Sequence, residues 1–349
     1  RPQEGCRTMR AARVMSAARI ATVDLSSFRL AGAAERRPAA EALSTAFSDT
    51  GFAVVVGHGV PPAATAALRG AAFRFFDMGL PEKRLVNEGT RGGFGASPYC
   101  HMEENGAQLL GDFSRPNDVV ESLGYTGLSK QSVMEALPST PPELKPAILA
   151  FEGEISALRA TLRDACELAL GLEPGFLSAR CDVGSEGIRM AHYPELGSPP
   201  LDGQLRYGAH VDSYGLTILQ LDPDHPDGLQ VQVGSEWVDI PFIDDSFVLN
   251  VGACLSRWTN GLWRASVHRV MLRPGRRLSL VTDGVRPNSD TLIEAIGPGA
   301  LDGASLPPVV MRDFHAERVA MHRPSYLADR GADEGMAKRL RTEIRSYQR

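Results

Sequence analysis

His210 and Asp212 stand two residues apart in Tyr207-Gly208-Ala209-His210-Val211-Asp212, and a further histidine, His268, follows in Arg264-Ala265-Ser266-Val267-His268-Arg269-Val270. Both stretches read as strands, and side chains two apart on a strand leave the same face. Two imidazoles and one carboxylate are the facial set that holds non-heme Fe(II) while leaving coordination positions open. Open positions mean chemistry rather than scaffolding. Beyond His268, the turn Arg273-Pro274-Gly275-Arg276 leads into Arg277-Leu278-Ser279. A guanidinium fork and a hydroxyl on one strand face bind a carboxylate through charge-assisted hydrogen bonds. The spacing suits a dicarboxylate whose far end meets Arg277 and Ser279 while its near end chelates the metal.

A single His-x-Asp is weak evidence, and the chain contains a second copy, His225-Pro226-Asp227. That copy lies in a run of Asp, Pro and Gly, whose prolines prevent the regular ladder that would aim both side chains one way. The first copy gains its weight from what surrounds it. Leu216–Leu221, Leu229–Val233, Glu236–Ile240 and Ser246–Val251 alternate or are β-branched, and turn residues separate them. Short strands at such spacing indicate a sandwich or barrel. A double-sheet jelly roll brings sequence-distant strands side by side, which is what His268 needs to reach the pair at 210 and 212.

With these residues in view, the stretch from Ile188 to about Asn288 resembles the 2-oxoglutarate/Fe(II) oxygenases related to isopenicillin N synthase. The resemblance rests on Tyr193-Pro194, His210-Val211-Asp212-Ser213, Gly228-Leu229-Gln230-Val231, Asn250-Val251-Gly252, Ser266-Val267-His268-Arg269-Val270 and Arg277-Leu278-Ser279. Upstream, Thr50-Gly51-Phe52 through His58-Gly59-Val60 and Leu80-Pro81-Glu82-Lys83 are similar to that family's N-terminal region. The resemblance implies iron ligands His210, Asp212 and His268. It implies co-substrate contacts from Arg277 and Ser279, with Tyr193 near the co-substrate or iron. It further implies Fe(II), 2-oxoglutarate and O2 as cofactors, with ascorbate as an accessory that keeps iron reduced. The implied reaction couples decarboxylation to succinate and CO2 with hydroxylation or desaturation of a small molecule. Because Asp212 fills the position a halide needs in halogenating relatives, no halogenation is expected.

Where relatives continue from Arg-x-Ser into an apolar, Phe-rich strand, this chain reads Leu280-Val281-Thr282-Asp283-Gly284. Thr282 or Asp283 is therefore expected to present a polar group to substrate. Two alternatives stay open on sequence alone. One is a same-fold Fe(II) oxidase that does not use 2-oxoglutarate, like isopenicillin N synthase, with Arg-x-Ser on a substrate carboxylate. The other is a non-catalytic jelly-roll module with zinc or nothing at the His/Asp site.

The elements that must position these residues follow from pattern. The expected class is α+β, with a double-stranded β-helix (jelly roll) core, an N-terminal mixed α/β region and flanking helices. Residues 38–50, 61–77 and 143–171 have helix-like apolar spacing, and the last should pack as a backbone helix ending at Gly171. Residues 86–142 are rich in Gly, Pro and Ser and read as loops over the site mouth. The expected organisation is an extension over 1–19, an N-terminal region over 20–142, a catalytic jelly roll over 143–325 and a C-terminal helix over 326–349. His58 reads as structural, and His192 should point away from the site if Tyr193 points in. His101, His315 and His322 carry no partner pattern, so solvated positions are the default for them. Trp258, Phe94 and Tyr99 read as core rather than pocket.

Net charge of −5 over 349 residues gives no electrostatic footprint for nucleic acid. No apolar run approaches the ~18 residues that span a bilayer. Five scattered cysteines without Cys-x-x-Cys suit a reducing, cytoplasmic compartment. The first nineteen residues, rich in Arg and Ala, are also compatible with an organelle-targeting segment. The expected partner is a small-molecule substrate; oligomeric state is not legible.

Overall fold

In the structure, a computed structural model, residues 20–30, 32–87, 99–110, 112, 114–126, 141–182, 187–298 and 306–321 are described. Their strands are β1 (Ala21–Asp24), β2 (Phe52–Val56), β3 (Tyr99–His101), β4 (Glu121–Thr126), β5 (Gly187–Tyr193), β6 (Tyr207–His210) and β7 (Leu216–Gln220). They continue with β8 (Leu229–Val233), β9 (Glu236–Asp239), β10 (Phe247–Val251), β11 (His268–Val270), β12 (Arg277–Val285), β13 (Leu292–Ile293) and β14 (Val309–Val310). The helices are α1 (Ser26–Leu30), α2 (Ala33–Asp49), α3 (Pro62–Phe76), α4 (Leu80–Arg84), α5 (Leu144–Leu170), α6 (Ala253–Trp258) and α7 (Met311–Met321).

An eight-stranded sheet in the order β1-β2-β10-β7-β12-β5-β4-β3 faces a four-stranded sheet in the order β6-β11-β8-β9. From β5 to β12 the chain passes repeatedly between the two sheets, so β5, β12, β7 and β10 oppose β6, β11, β8 and β9. This is the jelly roll expected from the strand pattern, and it makes the class α+β. The winding sets β11 between β6 and β8, with His268 directly opposite His210 on one side and Val231 on the other. Thus the register, rather than the sequence spacing, brings the distant histidine home.

The N-terminal residues do not build a sheet of their own. Strands β1 and β2 extend one edge of the large sheet, and β3 and β4 extend the other. The reading of 86–142 as loop is corrected here: β3, a short 3-10 turn (Gly106–Leu110) and β4 lie within it. Their sequences are short and largely polar, which hides the alternation that longer strands display. Residues 88–98, with Phe94, and 127–140 lie outside the described residues, as do 1–19 and the expected C-terminal helix at 326–349.

Helices α2, α3 and α5 cover the outer face of the large sheet. In α5, Ile148, Phe151, Ile155, Leu158 and Leu162 recur every three or four residues and are all buried. The helix stops where expected, with Gly171 at φ +65° as its left-handed cap. Helix α2 starts a turn earlier than the expected residue 38, with Pro38 inside it. Arg159 fastens α5 to the sheet: it donates to the carbonyls of Asp283 and Gly187, to the Thr282 hydroxyl and to both oxygens of Glu152. A guanidinium buried with every group partnered holds two layers in one alignment.

Candidate metal centre and its cavity

His210 and His268 are cross-strand partners with ring centroids 4.1 Å apart. Asp212 lies just past the end of β6, and its Oδ1 stands 3.3 Å from His210 Nε2 and 3.7 Å from His268 Nε2. One donor atom from each falls within 4.8 Å of the others, and no other such group of His, Cys, Asp or Glu occurs among the described residues.

The far side of each side chain is already occupied. His210 Nδ1 lies 2.9 Å from the Gly208 carbonyl, and His268 Nδ1 lies 3.1 Å from that of Ser266. A carbonyl can only accept, so each Nδ1 carries the proton and each Nε2 keeps its lone pair. Asp212 Oδ2 accepts from Thr217 Oγ1 at 2.5 Å and from Asn250 Nδ2 at 2.7 Å, which turns Oδ1 toward the imidazoles. Burial alone would raise the Asp212 pKa, but His268, His210 and Thr217 outweigh it and hold the carboxyl well below its usual range. Burial, then the neighbouring His210, pulls His268 down to about 4. The Nε2 atoms of two imidazoles and one carboxylate oxygen therefore face a single point.

Two glycines make this orientation possible. A Cβ on Gly208 would stand 2.7 Å from the Ala107 nitrogen, and one on Gly106 would stand 2.6 Å from the Gly208 carbonyl oxygen. Without side chains, the 3-10 turn lies flat against β6, and Gly106 donates its N–H to Asp118 Oδ2 at 2.7 Å. The carbonyl that orients His210 is thereby held from behind.

The three donors open on a cavity of about 330 Å³, with Tyr193, Tyr207, Leu219 and Val281 among its walls. Strand β12 runs along it. Tyr193 lines the cavity and is the register partner of Arg277. Arg277 and Ser279 share the β12 face of Val281 and Asp283 but lie beyond the cavity lining. Arg277 is buried; it donates from Nη1 to the carbonyl and Oδ1 of Asp227 and from Nη2 to the Pro274 carbonyl at 2.6 Å. Its Nε is buried without a partner among the described residues. Asp227, from the second His-x-Asp, thus steadies the arginine instead of facing a metal.

Thr282 and Asp283, expected as alternatives, have different surroundings. Thr282 borders the cavity, but its hydroxyl accepts from Arg159 and donates to the Gly187 carbonyl, so it does not present a polar group inward. Strand alternation is the reason, since even-numbered β12 residues face the helices. Asp283 lines the cavity and is paired with Arg286 at 3.0 Å.

Among the other histidines, His192 points away from the cavity into Glu121, 2.7 Å away, and stacks on Phe76. His58 joins the Asp245 carbonyl and the Val60 N–H. The solvated default is corrected for His101, which lies 3.3 Å from Glu121, and for His315, which is buried, stacks on Tyr214 and lines the cavity. His315 comes from α7, far along the chain, and no local pattern announces it. His322 lies outside the described residues. Trp258 and Tyr99 are core residues.

Known families match both halves of the chain. The 2OG-Fe(II) oxygenase superfamily profile covers residues 185–282, and the N-terminal profile of non-haem dioxygenases in morphine synthesis covers 20–135. Validamycin A dioxygenase from Streptomyces hygroscopicus subsp. limoneus is 30% identical over 271 residues, which are 71% of this chain and 70% of the relative. The chain belongs to the 2OG-Fe(II) oxygenase superfamily. A plant member, flavanone 3-dioxygenase 2 of Oryza sativa subsp. japonica, is 27% identical over 307 residues, 86% of this chain and 82% of its own. The crystal structure of a full-length Neurospora crassa protein in complex with alpha-KG has the same fold, with a TM-score of 0.73 at 24% identity, covering 86% of this chain and 96% of that one. As a member, the chain is a 2-oxoglutarate- and Fe(II)-dependent dioxygenase. The residues present fit those cofactors: three inward donors with secured back atoms suit ferrous iron, and the orphaned Arg277 Nε suits an incoming carboxylate.

Proposed function

We propose that His210, Asp212 and His268 hold the iron of this oxygenase, that Arg277 and Ser279 hold the distal carboxylate of 2-oxoglutarate beside Tyr193, and that the product is a hydroxylated or desaturated small molecule. The observation that carries this reading is the convergence of His210 Nε2, Asp212 Oδ1 and His268 Nε2 while every opposite atom is hydrogen-bonded.

Bound ferrous iron supplies the oxygen-activating chemistry that couples 2-oxoglutarate decarboxylation with oxidation of a substrate C–H bond. The protein's part is binding, orientation and exclusion of water. Gly208 and Ser266 fix the ring orientations, and Thr217 with Asn250 aims Asp212. Arg277, held by Asp227 and Pro274, waits in a fixed pose, so little freedom is lost when a carboxylate arrives. Leu219 and Val281 present apolar surface beside the metal point and keep bulk water from it.

The diverse named substrates of the relatives support a small molecule without choosing one. Among the described residues, Cys100, Cys166, Cys181 and Cys254 form no disulfide, which supports a reducing, cytoplasmic setting. The test is succinate release with an Arg277→Gln variant. The KM for 2-oxoglutarate should rise about tenfold to a hundredfold, the loss of charge-assisted hydrogen bonds, while iron stays bound. An unchanged KM would remove Arg277 from the co-substrate site.

A further inference from the structure

Asp283 lies six residues beyond Arg277 on one β12 face, roughly 20 Å away at ~3.3 Å per residue. Its partner across to β7 is Thr217, whose hydroxyl holds the metal-facing Asp212. The metal point therefore sits near the Asp283 end of the cavity. The reading above assigns the Arg277 end to the co-substrate, which leaves the Asp283 end for the substrate; the inference rests on that reading.

Four polar side chains from three regions of the chain meet there. Arg286 Nη1 donates to Asp283 Oδ2 at 3.0 Å, and Arg286 Nη2 donates to the Tyr214 hydroxyl at 2.9 Å. Tyr214 Oη lies 3.1 Å from His315 Nε2, and their rings stack with centroids 4.9 Å apart. Asp283, Tyr214 and His315 all line the cavity. Among the described residues, the only hydrogen bond to the Asp283 carboxylate goes to Oδ2. Oδ1 is left as an acceptor beside a phenol and an imidazole.

Charge decides what such a wall can hold. Among the described residues, apart from the metal-facing His210, Asp212 and His268 and the imidazole of His315, the charged side chains lining the cavity are Asp283 and Arg189. Asp283 is neutralised by Arg286, and Arg189 by Glu104 at 2.6 Å. A charged substrate group would lose its hydration against a wall that offers no uncompensated counter-charge. A hydroxyl loses far less, and it can both donate to Asp283 Oδ1 and accept from the Tyr214 phenol when the His315 imidazole donates to that phenol's oxygen. Neighbouring hydroxyls match neighbouring polar groups.

We infer that Asp283, Tyr214, Arg286 and His315 form a specificity site that selects an uncharged, polyhydroxylated substrate segment and presents it to the iron.

The test uses the anaerobic Fe(II)–2-oxoglutarate holoenzyme, whose visible charge-transfer band reports co-substrate chelation and is perturbed when a molecule seats beside the metal. The probes are myo-inositol and cyclohexanediol as polyols, diaminocyclohexane as cation and cyclohexanedicarboxylate as anion. The polyols should bind at least about tenfold tighter than either charged probe. That preference should fall about tenfold in Asp283→Asn and in Tyr214→Phe, each the loss of one hydrogen-bonding partner, with the band itself kept in both variants. Tighter binding of a charged probe, or a polyol preference untouched in both variants, would overturn the inference while leaving the co-substrate reading intact. Absence of the band in the wild type would instead overturn the co-substrate reading, and the inference with it.

Discussion

Two clusters of two histidines and one carboxylate lie on opposite faces of the jelly roll's large sheet, and only one of them is built to take a metal. In the first, His210, Asp212 and His268 spend their outer atoms on Gly208, Ser266, Thr217 and Asn250 and keep their inner atoms for one point. In the second, Glu121 is surrounded by His192 at 2.7 Å, Lys83 at 2.8 Å, the Tyr99 hydroxyl at 2.5 Å and His101 at 3.3 Å. Arg276 Nε adds a bond to His192 Nε2 at 3.0 Å. Its donors and acceptors satisfy each other. Residue type does not separate the two clusters; what does is whether lone pairs are left facing a shared space. The first is therefore chemical and the second holds α3 and α4 to the sheet.

The contrast can be broken most strongly at Glu121. Glu121→Gln leaves the buried Lys83 ammonium without its counter-charge and should cost about 3–5 kcal/mol of stability, read by urea unfolding, with iron affinity unchanged. A large loss of iron affinity in the folded variant would erase the distinction. A smaller effect is expected on the other side of the sheet. Asn250→Ala removes one of the two hydrogen bonds on Asp212 Oδ2 and should weaken iron binding about tenfold to a hundredfold, measured by metal competition, with little change in unfolding midpoint.

The same Glu121 carboxylate also carries a pH dependence. Burial works to raise the Glu121 pKa, but His192, Lys83 and Tyr99 outweigh it and bring the carboxyl from 4.5 down to about 2. A depressed folded pKa stabilises the protein above the unfolded value and loses that contribution as pH falls through the folded one. Between about pH 4.5 and 2, the wild type should therefore lose more stability than Glu121→Gln. Parallel acid-unfolding curves would show that the cluster does not carry the charge assigned to it.

The comparison also shows what the sequence could and could not announce. His210, Asp212 and His268 were legible because each sits in a strand-like run with a fixed place in the jelly-roll winding. The spacing of Arg277 and Ser279 puts them on one face of a strand, and the register of β12 against β5 places them so. The same alternation turns Asp283 inward and Thr282 outward, so of the two residues the sequence left as alternatives Asp283 is the one on the face of the cavity. Tyr214, Arg286 and His315 were not legible: they belong to a loop, a strand end and a helix, and only the fold joins them. The register shift between Asp283 and Val285 lets Arg286 reach back to Asp283, and no propensity encodes such an irregularity. Strands β3 and β4 were missed because short polar strands gain their order from neighbours rather than from their own pattern.

Anaerobic titration with ferrous iron tests the account most directly, using the wild type, His192→Ala and His268→Ala in parallel. The wild type and His192→Ala should each take up one iron per chain, and folded His268→Ala should bind it at least about a hundredfold more weakly, a loss no smaller than outer-partner mutations give. Undiminished iron binding by His268→Ala, or its loss in His192→Ala alone, would contradict the assignment of the metal to the cavity cluster.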